Sequence, residues 1–437
     1  EDNDKSHENE LIIHHDNIEE FLKNEKIIEV CKTNANVSGV CSFPQSEFKL
    51  DVTNVNEVSK IRVKSRFLNP ETKMHLDNQM SEWIRNDYME VMPDDKTGCE
   101  CDFVFVKQPD KLRVCVNSVR LNKYVKIEEA LFDSPLEIIQ KLSQDRDSNK
   151  YLSQIDIKNA YFTIPWYPKD GEYLYTNWNN KRWYFKRMPF GISSSVNHFT
   201  GVMHKILGHF DFCKVFFDNI LIHSSNYDEH IQHIVTVMDL LNRYELPIKL
   251  EKTQWLCKQL PFLGYILRQD SIAVHPEKIS SILKMNAPKT VKQIESFIGT
   301  INFCRNFIPF ITELLNPMQT ILNKHRGDNK RINNKDREIL EEETIKIKKA
   351  MHDNINSKLF FPSKKLKELI LHSDASNIGV GGILGFEANG KFYPLAFFSR
   401  SLRSYERNYS TSKKELLAVI LCVMKYNYLI AGHKLSS

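Results

Sequence analysis

The chain has 437 residues, 41% hydrophobic and 26% charged, a composition that excludes collagen, coiled coil and wholesale disorder and allows roughly two to four domains. The net charge of +5 hides an asymmetry: the first 60 residues hold 13 acids against 6 bases, leaving 42 acids against 54 bases beyond, so the basic body points to a polyanionic partner, although a solvated lysine-rich surface gives the same sum. No apolar run reaches the ~18 residues of a membrane span, no signal-peptide pattern opens the sequence, and nine scattered cysteines lack a zinc-binding spacing, which together predict an aqueous, intracellular protein with reduced thiols.

Residues 1–60 alternate short apolar clusters with acidic stretches and read as an acidic leader or partly ordered linker. Leu76, Met80, Trp83 and Ile84 fall at helical spacing and predict a helix over 74–92, closed by Pro93. Runs 103–106 and 113–116 then read as a basic hairpin around Lys107, Gln108, Pro109 and Asp110. A helix follows over 135–142 and a strand over 151–157, and two aromatic strands flank Asn179 and Asn180, a pair that tolerates positive φ. Val196, Phe199, Met203, Ile206 and Leu207 share one face of a helix over 194–210. A second hairpin, 214–217 and 220–223, is predicted to turn at Asp218 and Asn219. Thr290 and Gln293 form a capping box ahead of a helix that Pro309 would close, and 326–350 read as a solvated connector helix with a Glu342–Lys346 pair. Three strands over 369–374, 380–384 and 392–398 and a helix over 412–429 complete the pattern.

Two carboxylates terminate apolar strands far apart in the chain, Asp156 after Ile155 and Asp218 in the second hairpin. Strands that brought both to one sheet edge would offer hard divalent cations the oxygen ligands they require, and two such ions can clamp the attacking and leaving oxygens of a phosphoryl transfer. Asp-Asn is also a favoured hairpin turn, so spacing alone leaves both readings open.

The order of whole segments is more specific. Tyr151-Leu-Ser-Gln-Ile-Asp156-Ile-Lys-Asn-Ala-Tyr161, Phe185-Lys-Arg-Met-Pro189-Phe190-Gly191, Phe216-Phe-Asp218-Asn219, Leu250-Glu-Lys252, Phe262-Leu263-Gly264-Tyr265, Ser296 through Pro309, and His372-Ser-Asp374 with Lys414-Glu415 occur in that sequence. From about residue 60 onward this order resembles the polymerase of retroelements, in particular gypsy-like long-terminal-repeat retrotransposons, followed by the opening of a ribonuclease H domain. The resemblance implies an α+β right-hand polymerase of fingers, palm and thumb followed by a truncated ribonuclease H-like α/β segment. Its divisions would be leader 1–60, fingers and palm 61–274, thumb 275–325, connector 326–366 and ribonuclease H-like part 367–437.

It further implies an RNA- and DNA-directed DNA polymerase that uses two Mg²⁺ ions, with Mn²⁺ as a substitute. Asp156, Asp218 and the backbone carbonyl of Ile157 would hold the ions, with Asn219 beside them and Lys252 protonating the departing pyrophosphate. Arg113, Lys111, Tyr161, Phe190 and Gly191 would bind the nucleotide, Tyr161 excluding a 2′-hydroxyl. Phe216, Phe262, Leu263, Gly264, Tyr265, Lys289, Lys292 and Arg305 would contact primer and template. The implied partners are an RNA template, a DNA primer or duplex, deoxynucleoside triphosphates and other polyprotein segments, with no membrane. The implied location is a cytoplasmic virus-like particle or the nucleus.

Several positions depart from the family. Asn219 stands where its box has a second aspartate, removing one negative charge, which predicts turnover slowed roughly 5- to 150-fold, or about 1–3 kcal/mol. Phe216 replaces a tyrosine, Gln108 a common lysine and Asn117 an aspartate. The ribonuclease portion shows only Asp374 and Glu415 of the four expected carboxylates, so it is expected neither to cut RNA nor to bury a complete core. The competing reading is a catalytically silent remnant that binds nucleic acid or a partner chain.

Overall fold

The structure, a computed structural model, describes residues 11–64, 67–107, 112–127, 133–144, 146–326, 332–354, 356–363 and 365–436. It divides into two units, one made of His14–Pro135 and Tyr151–Leu256, the other of Leu136–Lys150 and Cys257–Ser437.

The centre of the first unit is an antiparallel trio of strands, Tyr151–Asp156, Asn219–Ser224 and Cys213–Phe216, in that spatial order. Ile220, Leu221 and Ile222 of the middle strand are all fully buried, which explains why this run is continuously apolar rather than alternating. Helix Ser195–Leu207 packs on the trio through Phe199, Met203, Ile206 and Leu207, and helix Tyr227–Arg243 through Ile234, Val237, Met238 and Leu241, each set spaced three or four apart as one helical face requires.

A separate sheet runs Met89–Val91, Lys181–Phe185, Tyr173–Trp178, Gly98–Glu100. Its tight turn is at Asn179 and Asn180, both left-handed with φ 48° and 61°, as a type I′ hairpin demands. The finger hairpin pairs Asp102–Lys107 with Leu112–Asn117, and the intervening Gln108 and Lys111 lie outside the described residues. The helix expected over 74–92 spans Pro70–Arg85 instead. Asn69 caps its start ahead of Pro70, and the left-handed Asp87 (φ 61°) turns the chain into the strand at Met89.

The N-terminal segment departs most from expectation. Residues 14–60 are no linker: helices Ile18–Leu22 and Glu25–Asn34 are folded into the first unit, the second against Tyr227–Arg243, burying Phe21, Ile27 and Val30. Among the described residues, every acid of this segment is exposed. Asn34, only 4% exposed, donates from Nδ2 to Leu246 O (3.0 Å) and Asn242 Oδ1 (2.8 Å) and accepts the Ile248 N–H at 2.9 Å.

Strand Gln254–Phe262, which belongs to the second unit from Cys257 onward, is followed there by Tyr265–Arg268, Ser271–Val274 and Lys358–Phe360 as successive antiparallel neighbours. Helix Val291–Phe303 begins at the Thr290 cap, with Gln293 Oε1 accepting the Lys289 N–H, but it ends at Phe303 and gives way to a 3₁₀ turn, Arg305–Phe307, before Pro309 is reached. Phe310 is left-handed (φ 50°) and starts helix Ile311–His325. The connector helix, Asn334–Asp353, is not solvated all round: Leu340, Thr344, Ile347 and Met351 are buried, and it packs on Ile311–His325 and Pro276–Lys284. The close ion pair of Lys346 is with Glu343, at 2.6 Å.

The chain ends in a sheet ordered Lys391–Ser401, Gly379–Ala388, Glu368–Ala375, with the short parallel strand Lys434–Ser436 at its edge and helix Thr411–Lys425 packed on it. Leu369, Leu371, Leu384, Ala418 and Cys422 form its core. On the same helix Leu416, Ile420 and Met424 remain 59%, 45% and 71% exposed, so this part buries a core on one side of the helix only.

Candidate active site

Backbone pairing brings Asp156 and Asp218 together. Asn219 is the register partner of Asp156 across the central strand pair, and the Ile157 N–H donates to Asp218 O at 3.1 Å. The hairpin turn lies one residue earlier than expected: Phe216 pairs with Asn219, leaving Phe217 and Asp218 at the tip. Phe217 is left-handed (φ 54°), a costly conformation for a bulky side chain and the kind of strain that persists where a turn must aim a functional group. Asn219 is therefore the first residue of a strand, its Oδ1 accepting from Gln154 Nε2 at 3.0 Å and its Nδ2 donating to Asp218 Oδ1 at 3.4 Å.

Burial, and then the negative charge of Asp156, push the Asp218 carboxyl above the usual carboxylate range, while Lys249 and Lys252 oppose the shift. Asp156 Oδ1 is buried and lies 3.0 Å from Lys249 Nζ, but it accepts no hydrogen bond. The Ile157 carbonyl is not consumed by the neighbouring bridge, whose two hydrogen bonds run from Lys249 N–H to Asp156 O and from Lys158 N–H to Pro247 O, both 2.8 Å. Two facing carboxylates, one with an oxygen that lacks a hydrogen bond, and an adjacent carbonyl are a fitting donor set for a hard divalent cation. No group of three or more His, Cys, Asp or Glu gathers anywhere among the described residues.

Of the expected nucleotide residues, Lys111 lies outside the described residues, and Tyr161, Arg113, Phe190 and Gly191 gather near Asp218. Tyr161 sits in the 3₁₀ turn Ala160–Thr163, edge-on to Phe190 with ring centroids 4.5 Å apart. Its phenol is pushed up by burial and then by Asp218, with Arg113 acting against both. The exposed Arg113 guanidinium lies 5.0 Å from the Phe190 ring centroid. Gly191 has φ 104°, and a Cβ there would sit 2.5 Å from Val116 O, so only glycine lets the finger hairpin approach this loop. Asn122 closes the contact, donating to Gly191 O (2.8 Å) and accepting from the Ser193 N–H (2.9 Å). Lys252 is exposed at the end of the 3₁₀ turn Leu250–Lys252. Phe216 is half-buried against Phe217, 4.1 Å between centroids.

Within the second unit, Leu263 (φ 53°) and Gly264 (φ 82°) form a tight turn between the paired Phe262 and Tyr265. Phe262 and Tyr265 are buried, Tyr265 stacking on Phe303 (4.7 Å) and Phe307 (5.7 Å), so only the tip at 263–264 is presented outward. Lys289 and Lys292 are exposed at the start of helix Val291–Phe303. Arg305 does not join them: it is half-buried, Nη2 donating to Thr312 Oγ1 at 3.2 Å, and desolvation lowers its pKa. Asp374 and Glu415 are both exposed, Asp374 Oδ1 accepting the Ala375 N–H at 2.8 Å. Asp374 pairs in register with Gly381, where an added Cβ would lie 2.5 Å from the Phe310 ring.

Two residues at the carboxylates escaped the sequence reading. Lys249 looked like one surface lysine among many, and Gln154 like an ordinary strand residue. The signal for both is position, Lys249 three residues before Lys252 and Gln154 two before Asp156.

Residues 106–267 match the family described as reverse transcriptase (RNA-dependent DNA polymerase), and residues 340–436 match the RNase H-like domain found in reverse transcriptase. The chain is 28% identical over 378 residues to the Transposon Tf2-7 and Tf2-3 polyproteins of Schizosaccharomyces pombe (strain 972 / ATCC 24843), an alignment covering 86% of this chain and 27% of each relative. It thus spans about a quarter of the length of those polyproteins. Among solved structures, the foamy viral protease-reverse transcriptase dRH in complex with double-stranded DNA matches with a TM-score of 0.72 at 19% identity, covering 99% of this chain and 74% of that one. The foamy viral protease-reverse transcriptase in complex with RNA/DNA hybrid matches at 0.64 and 20% identity, covering 94% of this chain and 55% of that one. Such identities establish the α+β fold of a reverse transcriptase. The chain carries a reverse transcriptase domain and an RNase H-like domain and is a homologue of transposon polyproteins.

Proposed function

We propose that the chain is the RNA- and DNA-directed DNA polymerase of a long-terminal-repeat retrotransposon of gypsy-like type, extending a primer 3′-hydroxyl with deoxynucleoside triphosphates. The observation that supports this reading most is the Asn219–Asp156 register, which sets Asp218 beside Asp156 at one end of a buried strand pair. Asp156, Asp218 and the Ile157 carbonyl would hold two Mg²⁺ ions. When bound, divalent ions would make the 3′-hydroxyl more acidic and neutralise charge building on the α-phosphate.

The remaining chemistry belongs to the chain. Arg113, oriented on the Phe190 face, is suited to grip triphosphate oxygens in a bidentate fork. Tyr161, braced by Phe190 and by Phe199 at 5.6 Å, would fill the space a 2′-hydroxyl needs and so select deoxynucleotides. Lys252 would donate a proton to the departing pyrophosphate. Lys289 and Lys292 would meet backbone phosphates, which hold a duplex without reading its sequence.

A second reading, a silent remnant that binds nucleic acid without extending it, is favoured by one observation: Asn219 spends its carbonyl oxygen on Gln154 and adds no charge to the site. Primer extension on RNA and DNA templates with Mg²⁺ or Mn²⁺ separates the two. Extension lost in Asp218→Ala supports the polymerase, and extension that survives this substitution discards the site. Duplex binding with no extension, even from Asn219→Asp, selects the remnant.

A further inference from the structure

Resting on the polymerase reading of the carboxylate pair, we infer that Lys249 is a built-in counter-ion of that pair, a positioning residue that competes with divalent cations for Asp156 and sets how much metal the site demands. Its ammonium lies 3.0 Å from Asp156 Oδ1, both side chains being largely withdrawn from solvent at 25% and 20% exposure. This is no chance reach of a flexible side chain. The Lys249 N–H donates to Asp156 O and the Lys158 N–H to Pro247 O, so residues 247–249 run antiparallel to 156–158. Asn34 fastens the same segment from the other side, accepting the Ile248 N–H and donating to Leu246 O.

Charge gives the arrangement its consequence. Among the described residues no third acid, histidine or cysteine clusters with Asp156 and Asp218, Asn219 is neutral, and Lys249 cancels one of the two negative charges. Hard divalent ions are held in proportion to the charge their oxygen ligands present, so the pair as it stands offers them a reduced field. Asp156 Oδ1 also accepts no hydrogen bond from the ammonium, leaving an oxygen that a cation of better geometry can claim. Lys249 thus balances the metal-free site and must swing aside, or share Asp156, when an ion enters.

The test is a Mn²⁺ titration of the full chain, read by electron paramagnetic resonance of free Mn²⁺ and by the melting temperature, with Lys249→Met, Lys249→Gln, Lys249→Arg and Asp218→Ala beside the parent. Removing a unit charge about 6 Å from a divalent ion, screened as in water, changes affinity on the order of tenfold. Lys249→Met and Lys249→Gln should therefore reach half-saturation at about one-tenth of the parent's Mn²⁺, while Lys249→Arg stays within about twofold of the parent. Without metal the two neutral variants should melt lower than the parent, and saturating Mn²⁺ should close that gap. Half-saturation unchanged in whichever neutral variant folds, or Mn²⁺ binding that persists in Asp218→Ala, overturns the inference. Primer extension measured in parallel keeps the two ideas apart. Tighter Mn²⁺ binding without extension sinks the polymerase reading alone, and extension with unchanged Mn²⁺ binding sinks the counter-ion alone.

Discussion

Asp156 with Asp218 in the first unit and Asp374 with Glu415 in the second are both pairs of acids, yet they are held in different ways. The first pair is placed by backbone: two strands in fixed register, a bulky residue in a left-handed turn and a third segment clamped alongside. Both of its members are partly withdrawn from water, and the charge of Asp156 helps raise the Asp218 carboxyl. The second pair comes from a strand and a helix, both side chains exposed, with Asp374 already satisfied by the next N–H. Acids forced together by main-chain pairing repel each other until a cation or a proton relieves them, whereas exposed acids are screened by water.

The widest separation between the pairs should appear in catalysis. Asp156→Ala or Asp218→Ala should cut primer extension by at least about 10³-fold, about 4 kcal/mol of barrier, while Asp374→Ala and Glu415→Ala leave it within about twofold. Equal losses from both pairs would break the comparison. Gly191→Ala sharpens it from the nucleotide side. An alanine at φ 104° against Val116 O should cost about 1–3 kcal/mol in a denaturant melt and raise the KM for nucleotide by loosening the finger hairpin. Asn219→Asp should speed extension roughly 5- to 150-fold by returning one negative charge to the first pair. Asn34→Ala, which leaves the Ile248 N–H and Leu246 O without their partner, should destabilise the chain by about 1–3 kcal/mol, measured by chemical unfolding.

The smallest effect is a pH dependence. Because the Asp218 pKa is raised in the folded state, the fold binds that proton more tightly than the unfolded chain does. Its contribution to stability is complete below the ordinary carboxylate pKa and is lost as pH rises through the raised value. In EDTA, Asp218→Asn should melt with the parent near pH 3 and pull ahead as pH rises above about 4, by a few degrees at most. A parent that gains on the variant over that range would show that Asp218 is stabilised, not strained, by its surroundings.

Features that local pattern dictates were legible without coordinates. The buried run at 220–222, the Asn179–Asn180 turn, the Thr290 cap and the helical face of Phe199, Met203 and Ile206 are each set by neighbours within a few residues. What escaped was set by distant partners. Glu25–Asn34 looked like leader because the 60 residues around it hold 13 acids against 6 bases, yet Ile27 and Val30 suffice to seat one face once Tyr227–Arg243 supplies the other. The turn register at Phe217–Asp218 slipped by one because Asp-Asn is the stronger local turn signal, and pairing of Asn219 with Asp156 overrode it. Arg305 was read as an outward phosphate contact because its charge is visible in the sequence and Thr312 as its partner is not. Lys249 stayed hidden for the same reason: a lysine's role is decided by which acid the fold sets within its reach.

The amide of Asn34 also determines where the polypeptide tolerates being cut. Proteolysis ahead of Asn24, the cap of its helix, should spare the two hydrogen bonds that fasten residues 246 and 248 and the third to Asn242. A nick between 25 and 34 should release them, and with them the strip of main chain that carries the Lys249 ammonium to Asp156. A cut ahead of that ten-residue helix should therefore leave the Lys249–Asp156 pair in place and a cut within it should loosen the pair, although the helix lies some two hundred residues upstream of the lysine.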